Sequence, residues 1–111
     1  MQFMMFVCSD SDPDDKPEAS GEVETWVDTL EKSGKRLMGD RLRPKADART
    51  VRVRKGKVIV TDGPFAESKE VIVGFDILDC NSMEEAIAIA AKHPMARAGR
   101  LELRPFWPFE G

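Results

Sequence analysis

Asp62, Glu67, Lys69 and Glu70 lie close together in the sequence around the tetrapeptide Asp62-Gly63-Pro64-Phe65. Each is a side chain able to move a proton or hold a charged ligand. A carboxylate placed where a strand ends beside a cleft can act as a general acid or base, or can anchor a ligand. Asp62 is the candidate catalytic residue on that ground. Gly63, Pro64, Phe65, Glu67, Lys69 and Phe75 are the candidate ligand-binding residues, with Phe65 and Phe75 as apolar wall. Turn chemistry offers a rival account of the same tetrapeptide: Asp accepts hydrogen bonds from the following amides, Gly relaxes the backbone, Pro fixes φ and Phe plugs the core. The readings separate at Asp62→Asn, which costs folding stability if the segment is only a turn and costs binding if it is a site.

Other reactive groups narrow the chemistry. No phosphate-binding loop, dinucleotide fingerprint or Ser/His/Asp set is present, which disfavours the common kinases, dehydrogenases and hydrolases. Asp10, Asp12 and Asp14 alternate as in a calcium loop, but Asp15 stands where that loop needs Gly and Gly21 where it needs a bidentate Glu. With one His and no CxxC, a zinc site is not expected, and neither metal nor cofactor is assigned. His93 precedes Pro94 at a predicted helix C-terminus, where the dipole favours a protonated, capping imidazole. Cys8 and Cys80 each end an apolar run and read as buried free thiols.

These groups are carried by a chain of 111 residues, which suits one domain (1–111) with a single core. A net charge of −3 argues against attraction to nucleic acid or an anionic membrane. The basic cluster Arg52, Arg54, Lys55 and Lys57 lacks interleaved aromatics and reads as a solvated strand face. The opening MQFMMFVCSD is too short and too acidic at its end for a signal peptide or membrane span, so a cytoplasmic protein is expected.

Gln2–Cys8 predicts a strand that is apolar on both faces, followed by an acidic loop, about 9–20, expected to be mobile. Val23, Trp26, Val27 and Leu30 follow helical spacing, with Gly34 as the C-terminal cap. Arg36–Met38 allows a short strand, and Pro44 argues against a long helix after it. Val51 and Val53 alternate with Arg52 and Arg54, and Lys55-Gly56 turns the chain into Val58–Thr61; a two-residue turn sets Val53 opposite Val58 and Val51 opposite Val60. Glu70–Asp79 predicts a further two-faced strand in which Gly74 leaves room for a close approach. Ser82 and Glu85 form a capping box before the stripe Met83, Ala86, Ile87, Ala90 and Ala91, and Leu101 with Leu103 marks a closing strand.

Strand, helix, several strands, helix and strand in this length predict an α+β protein, a ferredoxin-like split βαβ sandwich with two helices on one face of an antiparallel sheet. The bare face carries apolar residues, so a homodimer joined through its sheets is expected, with Phe106, Trp107 and Phe109 at the interface or lining the cleft.

The run VRVRKGKVIVTDGPFAESKEVIVGFDILDCNSMEEAIAIAAKHP, followed by GRLELRPF, resembles the YCII-related proteins of the DGPF type. The likeness is strong from Thr50 to Phe106 and looser over Gln2–Cys8 and Gly34–Leu42. It implies a dimeric α/β barrel built from ferredoxin-like protomers and no established reaction. Some YCII-type relatives have been proposed as enzymes using a His and Asp pair, and genes for DGPF-type proteins often neighbour those of extracytoplasmic-function sigma factors. Two functions of different kind are therefore expected: a small-molecule site in the barrel cleft with Asp62 as acid, base or anchor, or a non-catalytic regulatory module working with a protein partner. A third reading is a ligand-free scaffold.

Overall fold

The computed structural model describes residues 1–14, 21–64 and 70–109. Four strands form one antiparallel sheet: β1 (Gln2–Ser9), β2 (Arg36–Arg41), β5 (Ile72–Asp79) and β6 (Gly99–Pro105), in the order β2-β5-β1-β6. Two further strands, β3 (Arg49–Arg54) and β4 (Lys57–Asp62), pair with each other as a separate hairpin. Helices α1 (Glu22–Lys32), α2 (Met83–Ala91) and the short α3 (Met95–Ala98) complete the order. With the hairpin set aside, this is the ferredoxin-like split βαβ arrangement predicted above.

Local chemistry explains the helix ends. Gly34, at φ 75°, lets its N–H reach Glu31 O while Lys35 N–H reaches Leu30 O at 2.8 Å, the paired bonds of a Schellman stop. At α2, Ser82 Oγ accepts from Glu85 N–H at 3.1 Å, as expected of an N-cap. The return half of the box is displaced by one residue: Glu85 Oε1 accepts from Asn81 N–H, and Lys35 Nζ also donates to it. The apolar stripe of α2 differs from the predicted one at two positions, one of them Ala91, which is exposed. Ile87 is exposed, while Ile89 packs on the core and its carbonyl accepts from Trp26 Nε1 at 3.0 Å. Sequence spacing put Ile87 in the stripe and left Ile89 out, and the structure reverses the two.

Strand alternation divides the sheet into two faces. Phe3, Met5 and Val7 of β1 and Leu78 of β5 are buried beneath Trp26 and Leu30 of α1 and Ala86 and Ala90 of α2. Opposite them, Met4 pairs with Ile77 and Phe6 with Phe75, leaving a half-buried apolar strip on the face without helices. The helix-covered face also encloses charge. Arg36 Nε donates to the buried Asp76 Oδ1 at 2.6 Å, and Arg36 Nη1 donates to Glu31. Gly39 lies across from Asp76, and a Cβ there would collide with the Asp76 carboxylate, the Arg36 guanidinium and the Phe75 carbonyl. Gly74 has the role expected of it, since the Asp40 carbonyl passes 3.0 Å from where a Cβ would stand.

His93 differs from expectation. It is buried, edge-on to Trp26 with ring centroids 4.7 Å apart, and its Nδ1 accepts from Met95 N–H at 2.9 Å. Burial, aided by the Arg36 charge, lowers its pKa from the ordinary 6.5 to about 4, so the imidazole is neutral. Desolvation outweighs the helix dipole here, and the ring supports the start of α3 instead of capping α2 as a cation. Cys80 is buried and Cys8 half-buried; both thiols are free and pushed up in pKa, chiefly by burial. Of the segment predicted to be mobile, Asp10 binds Arg100 and accepts from Asp12 N–H, and Asp14 N–H donates to Arg97 O. The part at 15–20 lies outside the described residues. Among the described residues, no helix is long and apolar enough to cross a membrane.

The hairpin register is the predicted one. Val51 opposes Val60 and Val53 opposes Val58, with Lys55 and Gly56 both at positive φ, as a tight two-residue turn requires.

Candidate functional site

The DGPF segment begins at the base of this hairpin. Asp62 ends β4 with its side chain 89 % exposed, and Arg49, its cross-strand neighbour, places Nε 3.2 Å from Asp62 Oδ1. Gly63 adopts φ 88°, its N–H donates to Ala48 O at 2.9 Å, and its carbonyl accepts from Thr50 Oγ1 at 2.8 Å. Gly63 is thus built into the backbone, and its conformation favours glycine. The bonds that tie this turn involve Gly63, whereas Asp62 meets an arginine at the surface.

Pro64 follows and lines a groove of about 470 Å³ with Leu42, Lys45, Ala48, Val71 and Ile72. Three segments make it: the connection after β2, the turn after β4 and the entry to β5. Pro44 ends any extended run before the connection and starts a 3-10 turn at Lys45–Asp47, where Asp47 N–H donates back to Pro44 O. Leu42 N–H bonds Val73 O at 2.8 Å, which holds the connection against β5. The walls are largely aliphatic, with charge at the rim. Arg43 Nε is engaged by Asp47 at 3.1 Å, while Lys45 has no ion-pair partner among the described residues. Glu70 also borders the groove and accepts from Ser11.

The predicted site residues are therefore dispersed. Pro64 lines the groove and Gly63 adjoins it, whereas Asp62 points to Arg49, and neither of that pair lines the groove. Phe75 lies on the open sheet face across from Phe6, because strand alternation from Ile72 turns it away from the groove. Phe65, Glu67 and Lys69 lie outside the described residues. Sequence reasoning missed Leu42, Lys45 and Ala48, since the RLRPKADA connection has no periodicity to read. The available signals were Pro44 ahead of a short turn and Arg43 four residues before Asp47, a spacing that closes an ion pair. Among the described residues no cluster of His, Cys, Asp and Glu suited to a metal is present.

A second groove, on the open face, is bounded by Met4, Phe6, Arg104 and the aromatics Phe106, Trp107 and Phe109, the last two almost fully exposed.

Uncharacterized protein R00369 of Rhizobium meliloti (strain 1021) is 45% identical over 67 residues, an alignment covering 59% of this chain and 54% of that protein. The chain thus spans about half the length of this relative. The model of the YCII-related domain matches residues 1–110, and the chain belongs to that family.

Proposed function

We propose that this protein binds a small anionic molecule with an apolar body in the groove beside the DGPF turn. The observation that carries the reading is the pairing of an aliphatic trough with one uncommitted cation: Leu42, Pro64, Val71 and Ile72 form the walls, and Lys45 stands at the rim without an ion-pair partner among the described residues. A concave apolar surface with few polar groups is the usual form of a small-molecule site. Asp62 pairs with Arg49 at the base of the turn and is given no ligand contact in this reading. The proposal is for binding, and it assigns no reaction.

The same reading makes the protein a homodimer. The open face presents Met4, Phe6, Phe75 and Ile77 in a row, flanked by the exposed Met38 and Trp107, and such a strip is covered most simply by a second copy of the chain.

The test is a thermal-shift panel of aliphatic and aromatic carboxylates on the wild type and on Lys45→Gln. A ligand that binds only the native state raises the melting temperature. A shift in the wild type that is lost in Lys45→Gln supports the reading; equal shifts in both contradict it.

A further inference from the structure

The β3–β4 hairpin is the least explained part of the fold. Isolated two-stranded hairpins are marginal in water, yet this one pairs with no strand of the main sheet. Val51, Val53, Val58 and Val60 share one of its faces and are each 57 to 68 % exposed. Its other face, with Arg52 and Ile59, is half-buried, so the unfinished side is the valine side. The radius of gyration is 16.1 Å, against about 13 Å for a compact domain of this length, as a projecting arm would produce.

We infer that this hairpin is an arm that lies on a second copy of the chain, its valine stripe against the open sheet face of that copy. Charge favours this occupant. Residues 49–62 hold five of the 17 Lys and Arg and one of the 20 Asp and Glu, so a basic arm extends from an acidic body. Arg54, Lys55 and Lys57 have no ion-pair partner among the described residues, and neither has Asp40, which stands opposite Phe75 at the edge of the open face. Packing valine stripe on valine stripe would bring two basic arms together, whereas arm on body pairs opposite charges and buries apolar surface on both sides. The reach is sufficient: six residues per strand extend about 20 Å, and packed sheets lie about 10 Å apart. In a two-fold dimer the contact occurs twice, each arm on the other body.

The inference rests on the homodimer of the proposed function, and the experiment separates the two. Light and isotopically heavy wild-type chains are mixed, allowed to exchange and treated with a carbodiimide, which joins amines to carboxylates without a spacer. In parallel, light scattering follows the dilution of the wild type and of Val53→Thr/Val58→Thr, a pair of exposed positions where the fold should be retained, as checked by circular dichroism. The arm predicts light-to-heavy cross-links through Lys55 or Lys57 and a dimer dissociation constant at least tenfold higher in the variant. A wild-type dimer matched by the variant, with Lys55 and Lys57 linked only within a chain, overturns the arm and leaves the dimer standing. A monomeric wild type overturns both.

Discussion

Arg36 and Asp76 form a buried ion pair on the helix-covered side of the sheet, with Nε 2.6 Å from Oδ1 and both side chains about nine-tenths shielded from solvent. Burial raises the Asp76 pKa and Arg36 opposes that rise, so the carboxylate depends on its partner. Arg36→Met leaves Asp76 buried without a cation and should cost about 3 kcal/mol in urea unfolding. Arg36→Met/Asp76→Leu should recover most of that loss, because the penalty of an unpaired buried carboxylate disappears with the carboxylate. A single variant as stable as the wild type would show that the pair carries no such coupling.

Gly39→Ala places a methyl group against the same pair and against the Phe75 carbonyl. Overpacking of this kind costs about 1–3 kcal/mol, and here backbone stands on one side. A melting temperature several degrees below the wild type is expected, and an unchanged one would mean that β2 shifts freely over β5.

His93 sets a pH dependence. Its folded pKa, about 4, lies below the ordinary 6.5, so the unfolded chain takes up the proton first as pH falls. The stability that His93 contributes is complete above pH 6.5 and is lost progressively from there toward pH 4. Allowing for partial solvent screening, the loss is about 2 kcal/mol. Asp76, with its raised pKa, works in the opposite sense: its contribution is full below its unfolded value and fades as pH rises. The difference between wild type and His93→Gln isolates the imidazole, and denaturant titrations at several pH values should show a larger loss of stability from pH 6.5 toward 4 in the wild type than in the variant.

At the DGPF turn, stability should reside in Gly63 more than in Asp62. Gly63→Ala forces a side chain into φ 88° and should cost about 1–2 kcal/mol. Asp62→Asn weakens one exposed ion pair and should cost under about 1 kcal/mol. Chemical denaturation of the two variants side by side reverses this order if Asp62 is the residue that holds the turn.

Local chemistry made much of the fold readable from sequence. The Lys55-Gly56 turn fixed the valine register, Gly34 the end of α1 and Ser82 the start of α2, each through residues close along the chain. What stayed hidden depends on distant partners. Nothing beside Asp76 in the sequence marks it as half of a buried ion pair, because its partner lies forty residues earlier. His93 read as a helix cap because its burial comes from Trp26 on another helix. The groove was half legible: Gly63 and Pro64 stood out as turn residues, while Leu42, Lys45 and Ala48 converge on them only through tertiary packing.

The central claim is that the groove beside the DGPF turn holds the ligand. Its most direct test is a set of amide ¹H–¹⁵N spectra recorded while the best-stabilising carboxylate is titrated into the isotopically labelled wild type. Shifts should concentrate at Leu42, Lys45, Ala48, Val71 and Ile72 and saturate together. Shifts confined to the open sheet face around Phe6 and Phe75, or to Trp26 and the helices, would contradict it.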